Sequence, residues 1–110
     1  MATVTQKILG QLLPVAGVLT DLYTVPAATS TVTSTLTVCN QSAVATTFRV
    51  AVRQAGASIT NKQYIYFDVE LAGNDTLAAT LGLTLAAADV ISVSNAAGTC
   101  SFSLFGQEKA

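Results

Sequence analysis

The segment Thr31–Val38 alternates strictly between two kinds of side chain. Threonine occupies every odd position, and the even positions carry Val32, Ser34, Leu36 and Val38. Because successive side chains of a strand point to opposite faces, this pattern predicts a β-strand. We expect its threonines to face solvent and its aliphatic residues to face a core, as in a half-buried strand.

Comparable short segments recur along the chain. We predict strands at Lys7–Leu13, Leu19–Val25, Thr31–Asn40, Thr46–Arg53, Gln63–Leu71, Thr76–Leu81, Val90–Ser94 and Thr99–Phe105. Turn signals about every eight to twelve residues, without an amphipathic helix, are typical of an antiparallel β-sandwich. The predicted fold is therefore all-β, a single antiparallel sandwich of about seven or eight strands, either jelly-roll or immunoglobulin-like. The segment Leu83–Asp89 fits a helical turn and an extended loop equally well.

One domain accounts for the chain of 110 residues. Residues 1–18 are predicted as an N-terminal arm or edge strand, residues 19–106 as the sandwich, and residues 107–110 as a polar C-terminal tail. The arm carries apolar side chains that need a cover, namely Ile8, Leu9, Leu12 and Leu13. We expect the arm either to add a strand to its own sheet or to reach a neighbouring subunit by strand addition.

The strand Gln63–Leu71 offers a candidate interface. Because side chains alternate along a strand, its even-numbered residues share one face: Tyr64, Tyr66, Asp68 and Glu70. The opposite parity predicts a core face made of Ile65, Phe67, Val69 and Leu71. Arg49 and Arg53 share a face of the predicted strand Thr46–Arg53 and are candidate partners for the two acids. Tyrosine and arginine anchor protein interfaces, although the tyrosines would also serve simply to cover their own sheet.

Few side chains carry charge. The sequence is 51% hydrophobic and 10% charged, with a net charge of −1, whereas about a quarter of residues are charged in a typical soluble domain. A surface of threonine, serine, alanine and neutral amides suits outer faces that become interfaces. Since no basic stripe and no long apolar stretch is present, we expect neither nucleic acid nor a membrane as a partner.

Residues suited to catalysis are scarce. The sequence contains no histidine to activate Cys39 or Cys100. Asp68 and Glu70 have a spacing that suits Ca²⁺ or glycoside chemistry, but acids on an exposed strand face are more often solvated or paired with arginine. We therefore expect no enzymatic activity, no catalytic residue, no metal and no cofactor. The separation of Cys39 and Cys100 would suit a disulfide like the B–F pair of an immunoglobulin domain. Because alternation places Cys39 outside and Cys100 inside, we expect two free thiols instead, as in a reducing cytosol.

A series of short segments resembles a known family. The segments are Leu22–Ala27, Val38–Asn40, Thr47–Val52, Gln63–Tyr66, Ala72–Thr76, Leu83–Leu85, Asp89–Ile91 and Phe102–Gly106. Together they resemble small virion structural proteins of tailed bacteriophages, among them capsid cement (decoration) proteins of cyanophages. The resemblance spans residues 19–106 and transfers neither a catalytic residue nor a capsid-contact residue.

The resemblance implies a virion protein on the capsid exterior, synthesised in the host cytoplasm. Its implied partners are the major capsid protein and further copies of itself, most often as a trimer. A tail, baseplate or fibre module for assembly or host binding is the main alternative. A sugar-binding sandwich using Tyr64 and Tyr66 as its aromatic platform is a second alternative, and an enzyme that depends on Asp68 is the least expected.

Overall fold

Nine strands and two short 3₁₀ turns make up the computed structural model, which describes residues 3–110. The strands are β1 (Val4–Leu12), β2 (Thr20–Thr24), β3 (Ser30–Asn40), β4 (Thr46–Arg53), β5 (Tyr64–Leu71), β6 (Thr76–Thr80), β7 (Thr84–Leu85), β8 (Val90–Asn95) and β9 (Cys100–Lys109). The 3₁₀ turns, Gln54–Gly56 and Asn61–Gln63, lie between β4 and β5. The segment Leu83–Asp89 holds the two-residue strand β7 and a turn.

The strands form two antiparallel sheets. One has the order β1-β9-β3-β6, with β7 also pairing with β3, and the other has the order β2-β8-β4-β5. Apart from the short β7, this is the strand order of an eight-stranded jelly roll, in which two four-stranded sheets are built from two Greek keys. The predicted antiparallel β-sandwich is confirmed, and the strand order distinguishes the jelly roll from the immunoglobulin-like alternative.

Side chains from both sheets form one core. Those with almost no exposed surface include Phe48, Phe102, Leu36, Ile91, Leu104, Val25, Val38, Val50 and Val93. Phe48 of β4 and Phe102 of β9 meet edge to face across the two sheets, with ring centroids 6.1 Å apart. Aromatic pairs prefer this arrangement, which adds to the free energy gained by burying the rings.

An extra residue in β3 reverses part of the predicted alternation. Ser34 interrupts the register between β3 and β9. Before it, Thr31 and Thr33 are buried and Val32 is 42% exposed; after it, the aliphatic residues face the core as predicted. The expectation that the threonines face solvent is therefore wrong for Thr31 and Thr33, because one inserted residue turns the preceding side chains to the other face.

Polar side chains connect the two sheets beside this bulge. The Tyr23 hydroxyl of β2 lies 2.8 Å from Thr31 Oγ1 and donates to Glu108 Oε2 at 2.5 Å. Lys7 Nζ is 3.1 Å from Glu108 Oε1. The prediction of a tail at residues 107–110 is wrong for Gln107–Lys109, which continue β9 between β1 and β3 and so bring Glu108 to Tyr23.

Two buried asparagines bind loop ends together at one end of the sandwich. Asn40 Nδ2 donates to the carbonyl oxygens of Val44 at 2.9 Å and Leu71 at 3.3 Å. Its Oδ1 accepts a hydrogen bond from Thr99 Oγ1 at 3.0 Å. Asn95 Oδ1 accepts one from the Thr99 backbone N–H at 2.7 Å. These two side chains supply bonds that the loops cannot make with a neighbouring strand.

Replacing Asn40 with alanine should destabilise the fold by at least about 2 kcal/mol, because several buried polar groups would lose a partner. Urea unfolding of Asn40→Ala, with the neighbouring exposed Gln41→Ala as the matched control, measures the difference. Equal midpoints for the two variants would contradict the assigned role of Asn40.

Because of the Tyr23–Glu108 pair, the free energy of unfolding should fall at both acid and alkaline pH. The hydrogen bond from Tyr23 is the main cause that lowers the pKa of Glu108 below its ordinary 4.5, so this contribution is complete above that value and is lost as the pH falls through the lowered pKa. Burial, followed by the bond to Glu108, raises the pKa of Tyr23 from 10.0 to about 12. That contribution is complete below pH 10 and is lost as the pH rises through about 12.

Tyr23→Phe should remove the alkaline loss of stability and reduce the acid loss. Unfolding midpoints across the pH range, compared with those of Tyr64→Phe on the outer face, test this. The same pH dependence in both variants would show that other groups set the limits.

Candidate protein interface

An irregularity in β5 decides which of its side chains face outward. Tyr66 pairs with Val50 of β4, and Val69 pairs with Phe48. Two residues of β5, Phe67 and Asp68, therefore lie opposite the single residue Arg49. Asp68 has a φ of +51°, in the left-handed region that aspartate tolerates better than most residues. The result is a β-bulge that turns the strand over between Tyr66 and Val69.

The bulge reverses two of the predicted face assignments. Phe67 was predicted to face the core but is 52% exposed. Tyr66 was predicted to face outward but packs against the core, with its ring centroid 5.9 Å from that of Phe48. A further register shift leaves Ile65 41% exposed. The placements of Tyr66, Phe67 and Ile65 are therefore wrong, whereas Leu71 faces the core as predicted.

Four side chains form a compact group on the outer face of the β2-β8-β4-β5 sheet, and we name it the Arg49 cluster: Arg49, Tyr64, Phe67 and Asp68. The guanidinium carbon of Arg49 lies 4.0 Å from the Phe67 ring centroid and 5.8 Å from that of Tyr64. The two rings meet edge to face at 5.1 Å. Of the four, Arg49, Tyr64 and Asp68 were predicted interface residues, and the structure brings all three together.

A two-point ion pair holds the cluster in place. Arg49 Nε and Nη2 donate to Asp68 Oδ1 and Oδ2 at 2.7 and 3.1 Å. This hydrogen bonding lowers the pKa of Asp68 and keeps its carboxylate ionised. A carboxylate bound in this way is a poor general base, but the planar fork orients the guanidinium over the Phe67 ring. The geometry is suited to recognition rather than to proton transfer.

The cluster has the properties of a docking point. Arginine and aromatic side chains contribute most of the binding energy in many interfaces. Because the ion pair and the stacking already order these side chains, little conformational entropy remains to be lost on binding. Phe67, which is half exposed, offers apolar surface, and the partly exposed Arg49 and Asp68 offer polar contacts beside it.

Two other predicted interface residues lie outside the cluster. Arg53 Nη1 contacts Asp21 Oδ1 at 2.9 Å, and its Nη2 donates to the Gly56 carbonyl at 3.0 Å. Arg53 therefore anchors the β4–β5 connection and is not the partner of Asp68 or Glu70 that the sequence suggested. Glu70 is exposed, and it forms no ion pair with any residue between 3 and 110.

The apolar residues of the N-terminal arm divide between the core and the surface. Residues 4–12 form the edge strand β1 on β9, which is the intramolecular form of the predicted strand addition. Leu9 and Leu12 pack against the core. Ile8 and Leu13 are 52% and 53% exposed. Ile8 and Val32 border an open depression of about 740 Å³ on the outer face of this sheet.

The sequence prediction missed Phe67 and Val32 as surface residues. Both lie beside bulges that have a weak sequence signal: Asp68 is a residue disfavoured inside strands, and Ser34 is a polar residue among apolar even positions. Either residue in mid-strand indicates a break in alternation. Neither reveals in which direction the register shifts.

The two thiols occupy the predicted opposite environments. Cys39 is half-buried, Cys100 is fully buried, and both are free. Burial raises the pKa of the Cys100 thiol, which keeps it protonated and unreactive at neutral pH.

Removing each of two neighbouring rings in turn tests the bulge directly. Tyr66→Ala should lower the free energy of unfolding by about 2 kcal/mol, because its ring covers the core. Phe67→Ala should cost less than about 1 kcal/mol, since it removes an exposed ring with one cation–π contact and one edge-to-face contact. Urea unfolding of the two variants gives both values, and the opposite order would show that the faces are reversed.

Comparisons with known proteins do not assign this chain to a family. No protein-family model, no curated protein and no solved structure matches this chain. Within residues 3–110, no three His, Cys, Asp or Glu side chains are grouped closely enough to hold a metal ion. No helix of the described part has the length and apolar character needed to cross a membrane.

Proposed function

We propose that this protein is a non-enzymatic structural component of a tailed-phage virion, a cement protein that binds the outer capsid shell and stabilises contacts between capsomers. The proposed partner is the major capsid protein. The observation that carries the proposal is the Arg49 cluster, an ordered arginine–aromatic group exposed on a rigid sheet. The family resemblance supplies the identity of the surface on which it would dock.

The scarcity of charge supports a role in a lattice. Only 10% of the residues are charged, and the three ion pairs found among residues 3–110 occupy six of those side chains. The remaining surface is rich in small neutral side chains, which lose little conformational entropy when immobilised. Many weak contacts of this kind, repeated on a symmetric shell, add through multivalency.

The jelly roll is compatible with this role without deciding it. The architecture serves in viral capsid domains, but also in lectins and cupins. Fold alone therefore does not assign a function, which has to be argued from the surface. The trimer expected from the resemblance remains a prediction of the resemblance alone.

Particles that lack this protein should assemble but release their DNA at a lower temperature than complete particles, because the contacts between capsomers lose their reinforcement. Heat release from stripped and reconstituted shells measures the effect. Unchanged heat resistance would contradict the cement function. A few copies per particle, located at the tail, would instead support the tail, baseplate or fibre alternative.

The same shells test the Arg49 cluster. Phe67→Ser should weaken binding to stripped shells by at least about tenfold, the equivalent of about 1.4 kcal/mol. Val44→Ser is the matched control, since Val44 is also an exposed apolar residue, 72% accessible, and lies in the β3–β4 loop outside the cluster. Equal binding by both variants would place the shell contact elsewhere on the protein.

A further inference from the structure

β1 has an edge that is regular enough to bind another strand. Within the described residues 3–110 it pairs with β9 on one side only, and its register with β9 is continuous from Val4 to Ile8. Of the other outer strands, β2 and β6 are only five residues long, and β5 is interrupted by two register shifts. Long unpaired edges are templates for pairing with another chain.

Backbone hydrogen bonds show which residues of β1 point away from the sheet. Thr3 and Ala110 exchange both backbone bonds, at 2.7 and 2.9 Å. Bonded and non-bonded pairs alternate along an antiparallel ladder, so Thr5 and Lys7 are the next residues bonded to β9. The N–H and C=O groups of the residues between them therefore point to the open edge: Val4, Gln6 and Ile8.

These three residues are self-complementary. We propose that β1 pairs antiparallel with β1 of a second copy, about a two-fold axis that passes through Gln6. Val4 then lies opposite the partner subunit's Ile8, and Gln6 lies opposite the partner subunit's Gln6. Each of these pairs consists of residues whose backbone groups point to the open edge of β1. Every backbone N–H group between the paired strands therefore has an acceptor. Val4 and Ile8, now 53% and 52% exposed, cover each other across the axis.

Other registers are less favourable. A shift of one residue places backbone groups that point to the open edge opposite groups that are already bonded to β9, so the two strands cannot form a hydrogen-bonded ladder. A register centred on Lys7 places like charges directly opposite each other, which is destabilising. The paired segment ends where β1 approaches β2, since a Cβ at Gly10 would lie 2.3 Å from the Leu22 carbonyl oxygen. A register centred on Thr5 pairs Val4 with the partner subunit's Gln6 and carries Ile8 beyond the partner subunit's β1. Only the register centred on Gln6 therefore places the two exposed apolar residues opposite each other.

The proposed dimer joins two sheets into one, in the order β6-β3-β9-β1-β1-β9-β3-β6. The Arg49 cluster lies on the other sheet of each copy and stays accessible. A two-fold dimer also differs from the trimer that the family resemblance implies. The mass in solution therefore distinguishes the two, and the dimer stands or falls independently of the proposed capsid function.

Cysteine cross-linking tests the register directly. Paired residues in such a ladder have Cα atoms about 5.5 Å apart, within the range that a disulfide spans. In a Cys39→Ser background, Gln6→Cys should form a covalent dimer on mild oxidation at least tenfold faster than Thr5→Cys, whose copies lie diagonally across the axis. Both positions are exposed, so random collisions affect them equally. Equal rates would overturn the proposal.

A charge exchange tests the apolar pair. Sedimentation equilibrium of the full chain should give twice the mass of one chain, and Ile8→Lys should weaken this dimer at least tenfold. The V4E/I8K double variant should recover the lost association, because opposite charges then face each other across the axis. A monomeric wild type, a trimer, or a double variant weaker than Ile8→Lys would overturn the proposed pairing. Urea unfolding of each variant verifies that the monomer still folds.

Discussion

Successive side chains of a β-strand point to opposite faces, and this period of two is the constraint on which the arrangement of the sandwich depends. Every extra residue in a strand turns over the part of the strand beyond it. Ser34 in β3 has this effect and brings Thr31 and Thr33 inside. Their hydroxyl groups then need partners, which are the Tyr23 hydroxyl and the Leu81 carbonyl oxygen. The polar network between the sheets is thus a consequence of one bulge.

The same constraint forms the two candidate surfaces. In β5, the left-handed Asp68 turns Phe67 outward beneath Arg49 and turns Tyr66 toward the core. In β1, the register shift after Ile8 leaves that residue exposed while Leu9 packs inward. A regular sandwich would have buried these apolar side chains. Bulges allow a small domain to keep a complete core and still present ordered apolar groups to a partner.

Charged side chains in this protein serve mainly to hold geometry. Lys7 and Glu108 align β1 with β9, Arg53 ties a loop to β2, and Arg49 orients Phe67. Exposed ion pairs contribute little to folding stability, so their value lies in positioning. The neutral remainder of the surface agrees with the proposed function, in which the outer faces of the sandwich lie against other proteins.

The sequence alone determined the fold class and most of the strand positions. Periodic apolar residues identified β4 with its observed bounds, and the turn residues separated the other strands to within a few positions. It also predicted that Arg49, Tyr64 and Asp68 lie together on one face, as they do in the structure. Local information is sufficient here, because strand formation follows the spacing of neighbouring side chains.

Only the tertiary structure decided which side chains point in and out on both sides of each bulge. The alternation of residues along one strand does not reveal that Ser34 or Asp68 has no residue opposite it on the neighbouring strand. The register depends on two strands that are distant in sequence. The continuation of β9 through Gln107–Lys109 has the same origin, since its polar residues become strand only between β1 and β3. Phe67 and Tyr66 exchange faces for this reason: the pairing with β4 fixes their direction.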